Sequence, residues 1–203
     1  MPGELRCGSL GTSAWNASRL PLSSFQTTLA AARRGDERAW TEIYRSLASG
    51  LLGYLRGQGA AEAEDLLGEV MLQLVRDLPR FAGDERQFRA FAFTVAHHRL
   101  IDDRRHRGRR PVEPAPDELL MQRGAASDAE QEALERLGAE RLRTLIGRLS
   151  PSQRSVLLLR IVGGLTVEEV AQAIGKRPGA VKALQRRALA AVARQLSKEG
   201  VPL

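Results

Sequence analysis

The chain of 203 residues holds a single cysteine, Cys7. That excludes an intramolecular disulfide and any zinc site built on cysteines. Aromatic residues make up only 4% of the sequence. Long apolar runs are missing too: the longest strongly apolar stretch is Val156 to Leu159, where a membrane-spanning helix needs about twenty such residues. The first residues, MPGELRCGSLGTSAW, lack the continuous apolar segment of a signal peptide. These absences predict a soluble, cytoplasmic protein with no membrane insertion. A further absence is local. Between Val170 and Lys198 there is no acidic residue, while seven basic ones stand there: Lys176, Arg177, Lys182, Arg186, Arg187, Arg194 and Lys198.

What is present allows real cores. Hydrophobic residues account for 43% and charged ones for 27%, so global disorder is excluded. The net charge is +7 and the isoelectric point about 10.6, which favours a polyanionic partner such as nucleic acid.

Along the chain the periodicity is helical throughout. Residues 1–23 are rich in Gly, Ser and Pro and read as a tail. Helical spacing begins with Phe25, Leu29 and Ala32; Gly35 ends it, and Asp36 caps a second helix that carries Trp40 and Tyr44 as expected core anchors. A helix over about 61–78 places Leu66, Leu67, Val70, Met71, Leu74, Val75 and Leu78 on a wide buried face. Its other side carries Asp65, Glu69, Leu72 and Arg76, and is either a solvated acidic face or a docking surface for a basic partner. A loop over 80–87 leads to a helix over about 88–107. Four of the five phenylalanines, Phe81, Phe88, Phe91 and Phe93, gather at its start, and its end from Arg99 to Arg110 holds six arginines against Asp102 and Asp103. Aromatics beside a basic helix serve a core, or stack on unpaired bases. His97, His98, Asp102 and Asp103 have no second ligand cluster to converge with, so no metal and no cofactor are expected.

Composition then changes. Glu113 to Glu135 contains seven acidic residues against Arg123 alone, which predicts a flexible acidic linker over 111–133. Helical periodicity returns from about 134. Ser150, Pro151 and Gln153 mark a helix start, as do Thr166 and Glu169. Gly175 sits where a left-handed cap belongs, and Pro178 opens a last, basic helix with Val181, Leu184, Ala188 and Val192 inside. The expected fold is all-α: two small helical domains, 24–110 and 134–198, joined by the linker, the second ending in a helix-turn-helix suited to the DNA major groove.

Three segments taken together, AEDLLGEVMLQLVRDLPRF (63–81), FRAFAFTVAHHRLIDDRRHRGRRP (88–111) and LSPSQRSVLLLRIVGGLTVEEVAQAIGKRPGAVKALQRRAL (149–189), resemble the bacterial RNA polymerase sigma factors of the sigma-70 family, in their extracytoplasmic-function class. That class keeps only regions two and four. The resemblance implies that Asp65, Glu69 and Leu72 dock on core RNA polymerase. It implies that Phe91, Phe93, His98, Arg99, Arg104 and Arg105 open and read the minus-ten element, and that Lys176, Arg177, Lys182, Arg186 and Arg187 hold the minus-thirty-five element. His98 stands where asparagine is common, and Ala183-Leu184 replaces a usual serine-arginine pair. Promoter DNA and core polymerase are then the partners, an anti-sigma protein a further one, and the nucleoid the place of action. No covalent chemistry is implied. Two other readings stay open on residues alone: a stand-alone helix-turn-helix regulator, and a hydrolase using metal at His97, His98, Asp102 and Asp103.

Overall fold

The computed structural model describes residues 22–108 and 140–198. The tail up to residue 21, with Cys7, and the linker over 111–133 lie outside the described residues. Contacts divide the chain into two units, one ending at Ser46 and one beginning at Leu47.

In the first unit, α1 (Leu22–Arg33) starts two residues before the expected boundary. Gly35 turns the chain with φ +87°, and Asp36 Oδ1 accepts from Ala39 N at 2.9 Å to begin α2 (Glu37–Gly57). Phe25, Leu29, Ala32, Ala39 and Ile43 are buried. Trp40 is half-buried and donates its Nε1–H to Ala32 O at 3.2 Å. Tyr44 is not a core anchor: it is 48% exposed. The buried stripe of α2 advances in steps of four from Ala39 through Ile43 to Leu47, and Tyr44 lies one residue past it, about 100° around the axis.

The second unit begins with the remainder of α2, where Leu51, Tyr54 and Leu55 are buried. Helix α3 (Ala63–Asp77) packs against α4 (Glu85–Gly108), with a 3-10 turn at Leu78–Arg80 between them. Ala63, Leu66, Leu67, Val70 and Leu74 of α3 are buried, as are Phe88, Ala92, Ala96 and Leu100 of α4. Helix α4 starts three residues before Phe88. Asp84 Oδ1 accepts from Gln87 N at 2.8 Å, and Gln87 Oε1 accepts from Asp84 N at 2.9 Å, a reciprocal cap that the expected loop over 80–87 passed over.

After the second described stretch opens with helical residues 140–147 (α5), Ser150 and Gln153 cap α6 (Pro151–Ile161). Thr166 and Glu169 cap α7 (Val167–Ala173) in the same reciprocal way. Gly175, at φ +63°, makes the turn into α8 (Pro178–Lys198). Leu149, Leu157 and Ala188 form a core, against which Ala191 and Val192 pack. Within the same unit α4 also contacts α7. The described part of the second helical region therefore lies against α4.

Both cap bonds of α7 depend on Thr166 and Glu169 together: Glu169 N donates to Thr166 Oγ1 at 3.2 Å, and Thr166 N to Glu169 Oε2 at 2.6 Å. Thr166→Ala should lower stability by about 1 kcal/mol, read as a fall in the urea midpoint with unchanged slope.

Candidate nucleic-acid and polymerase surfaces

Three surfaces carry the residues singled out above. The first is the basic face of α8 and the turn before it. Val181 and Ala188 point inward and are fully buried, which turns Lys182, Arg186 and Arg187 outward; Lys176 and Arg177 are exposed on the turn. Among the described residues none of these five enters an ion pair. Their charge is thus available to phosphates, each of which exchanges a counterion for a cation on binding.

The second surface is α4, where the structure separates residues that the sequence grouped. Phe91 and Phe93 are two positions apart, so they lie about 200° from each other on the helix. Phe91 is half-buried in a ring cluster with Phe81 and Phe88, at centroid distances of 5.8 and 6.4 Å. Phe93 is 0% exposed, edge-on to Tyr54 at 5.8 Å, with the Arg89 guanidinium 5.3 Å above its ring. In this form Phe93 is closed to a base. His98 is exposed, and its Nε2 lies 3.2 Å from Ala173 O. Arg99 donates to Gln73 Oε1 at 2.7 Å and stands 3.9 Å from the Glu69 carboxylate. Arg104 donates to Gln58 O, and Arg105 is exposed beside Asp102 at 3.2 Å.

The third surface is the outer face of α3. Asp65 and Glu69 are exposed, and Leu72 is 59% exposed between them and Arg76. Val75, expected on the buried face, joins Leu72 outside at 45% exposure. The buried layer of α3 is narrower than its apolar sequence, so an apolar pair is left among carboxylates. That combination suits a protein partner better than DNA, which the carboxylates repel.

Sequence reasoning missed the group behind Phe93. Tyr54 and Gln58 are buried one turn apart at the end of α2. Burial pushes the Tyr54 phenol well above its usual range, against a smaller opposing effect of Arg104, so it stays protonated and donates to His97 Nδ1 at 2.8 Å. Burial, then the neighbouring His98 and Arg104, push the His97 imidazole down to about 4, so the ring is neutral and accepts that bond. Gln58 Nε2 donates to Ser155 Oγ at 3.1 Å. A signal existed in Tyr54 and His97, polar residues placed on apolar stripes, but nothing local paired them.

Comparison with known proteins places this arrangement. Residues 41–110 match the family Sigma-70 region 2, and residues 139–192 match Sigma-70, region 4. The ECF RNA polymerase sigma factor SigD of Mycobacterium tuberculosis is 36% identical over 168 residues, covering 79% of this chain and 78% of SigD. ShbA of Streptomyces griseus, also an ECF RNA polymerase sigma factor, is 36% identical over 140 residues, covering 68% of this chain and 73% of ShbA. The solved structure of CnrH in complex with the cytosolic domain of CnrY shares the fold, with a TM-score of 0.61 at 21% identity over 86% of this chain and 98% of that one. A two-region sigma-70 architecture is thus defined. The chain belongs to the extracytoplasmic-function (ECF) sigma factors of bacterial RNA polymerase. It is a regulatory, DNA-binding protein that binds core RNA polymerase and directs promoter recognition, DNA melting and transcription initiation. Among the described residues no helix is long and apolar enough to cross a membrane.

The neutral His97 has a consequence for stability. In the unfolded chain its imidazole titrates near 6.5, in the fold at about 4, so between those values the unfolded chain alone takes up the proton. Stability from this residue is complete above about pH 6.5 and falls as pH drops toward 4, by on the order of 3 kcal/mol. Urea unfolding at pH 7 and pH 4.5 should show a smaller loss in His97→Gln, which keeps an acceptor for Tyr54, than in the parent.

Proposed function

We propose that this sigma factor divides its work among the three surfaces. The outer face of α3, with Asp65, Glu69 and Leu72, docks on core polymerase. Helix α4, with Phe91, Phe93, His98, Arg99, Arg104 and Arg105, opens and reads the minus-ten element. The turn and α8, with Lys176, Arg177, Lys182, Arg186 and Arg187, hold the minus-thirty-five element. On this reading the chain comprises a tail over 1–23, a first functional region over 24–110, the linker 111–133 and a second region over 134–198.

The observation that carries the proposal is the segregation of character along one chain. An acidic face with an exposed leucine stands on α3, and an unpaired basic face on α8. DNA and a basic protein groove need opposite potentials, so one surface cannot serve both. The chain itself performs no covalent step; catalysis belongs to core polymerase. It acts in the cytoplasm, on the nucleoid, where polymerase and promoters are. CnrH is bound by the cytosolic domain of CnrY, and an anti-sigma partner for this chain belongs to the same proposal.

Run-off transcription with purified core polymerase and a promoter library tests the whole. Initiation at a defined subset of promoters is expected, and its absence from every promoter would overturn the reading. Glu69→Arg tests the docking surface. Glu69 is exposed, so its reversal should leave the helical signal intact while weakening core binding roughly tenfold, about 1.4 kcal/mol. Unchanged affinity for core would remove α3 from the interface.

A further inference from the structure

Where α4 meets α6 and α7, several basic side chains have well-matched partners. Arg89 Nε donates to Gly163 O at 2.8 Å, and Arg86 pairs with Glu169 at 3.3 Å. Arg154 is bonded to Ile146 O, Gly147 O and Leu149 O. Arg104 and Lys176 differ. They line one cleft of about 130 Å³, between α4, the start of α6 and the turn before α8, together with His97, Ser152 and Ser155. No carboxylate lines this cleft. Among the described residues neither Arg104 nor Lys176 enters an ion pair. Arg104 donates to Gln58 O, the same carbonyl that Arg154 Nη1 reaches at 3.4 Å, so two guanidinium groups converge on one neutral acceptor. Burial holds the Arg104 guanidinium below its usual range, and the Arg154 cation adds to the effect.

The cleft also presents donors that the fold leaves unused. Pro151 has no N–H, Gln153 N is taken by Ser150 Oγ and Arg154 N by Ser150 O, which leaves Ser152 N as the open donor in the first turn of α6. Ser155 is already filled, donating to Pro151 O at 3.0 Å and accepting from Gln58 Nε2 at 3.1 Å. His97 is only 7% exposed. Its Nδ1 accepts from Tyr54, which puts the ring proton on Nε2, and among the described residues that N–H has no acceptor. The side chain lines the cleft, and the donor opens there. An enclosed donor without an acceptor is costly and calls for a partner.

We propose that this cleft binds a phosphate monoester or phosphate itself, held by Arg104, Lys176, Ser152 and the His97 imidazole. Two cations balance a dianion. Donors from α4, α6 and the turn before α8 approach from different sides, which suits a tetrahedral group better than a planar carboxylate. A cavity of about 150 Å³ takes up benzene, so a phosphate group of five heavy atoms fits, and exposed Ser152 and Lys176 stand where the rest of an ester would leave. A phosphodiester within a nucleic-acid strand carries a single charge and would leave one cation unmatched.

The test titrates the full chain with inorganic phosphate and, separately, with adenosine 5′-monophosphate, at ionic strength held constant with potassium chloride. Nuclear magnetic resonance follows His97 Nε2 and the Ser152 amide. Both signals should shift saturably in the low-millimolar range, and adenosine should move neither. Tighter binding of the nucleotide than of inorganic phosphate assigns the site to an ester; the reverse order assigns it to the free ion. Lys176→Glu, at an exposed position, should weaken binding at least about tenfold. Arg194→Glu, an exposed cation of α8 that does not line the cleft, should leave it unchanged. If Lys176→Glu alters the helical signal, Ser152→Asp is read by the same titration, since an aspartate in a first helical turn supports the helix while repelling the ligand. Absence of a saturable shift overturns the site, as does an equal loss in Lys176→Glu and Arg194→Glu, which would mean diffuse attraction to a basic surface. A single-stranded DNA of 5′-hydroxyl form that reproduces the His97 shift at lower concentration than either phosphate overturns the monoester assignment in favour of a nucleic-acid backbone. None of these titrations contains polymerase or a promoter, so the site and the promoter reading fail independently.

Discussion

Arginine on main-chain carbonyl is the interaction from which the assembly of the second unit follows. Helix C-termini expose acceptors that the helix cannot satisfy, and this chain has an excess of guanidinium donors over carboxylates to meet them. Arg154 donates to Ile146 O at 3.1 Å, Gly147 O at 2.6 Å and Leu149 O at 3.3 Å, tying the end of α5 to α6. Arg160 donates to Leu165 O and fixes the turn before α7. Arg89 does the same for the carbonyls after α6, but from another helix 74 residues earlier in the chain. A carboxylate in place of these carbonyls would attract more strongly, yet it would add a second charge to desolvate. Carbonyl acceptors let half-buried arginines keep their charge with one desolvation cost rather than two.

That chemistry explains which parts of the fold were legible in the sequence. Thr166 with Glu169, Ser150 with Gln153, Asp36, Gly175 and Pro178 all act within three or four residues, so their roles could be read directly from spacing. Asp84 with Gln87 has the same spacing and was passed over, because the first large apolar residue of α4 comes only at Phe88. Contacts such as Arg89 to Gly163 leave no local trace: any arginine on any helix face looks the same in sequence. Gln58 illustrates the point, standing between Gly57 and Gly59 like a turn residue while being only 1% exposed.

The candidate sites divide along the same line. The basic face of α8 was legible because its inner stripe of Val181 and Ala188 leaves one direction for the cations. On α3 the outward Leu72 was readable from its place among carboxylates, whereas Val75 was not, since the width of a buried face is set by the partner helix. Phe91 and Phe93 were indistinguishable by type and neighbourhood. Helical geometry sends them to opposite sides, one to the Phe81–Phe88 cluster and one beneath Arg89.

Bonding differs between the two regions and the joint where α4 meets α6 and α7. On one side of the joint lies the apolar layer of α3 and α4; on the other, Leu149, Leu157 and Ala188 with their neighbours. Each apolar set is continuous within its own region, and separating it would expose buried hydrocarbon at about 25 cal/mol per Å². Most of the named contacts across the joint are hydrogen bonds and one exposed ion pair, which water can replace at a net cost of about 1 kcal/mol each. Phe93, 0% exposed, and Leu158, 4% exposed and set against Gly57, are apolar there as well, so parting the joint would also expose hydrocarbon.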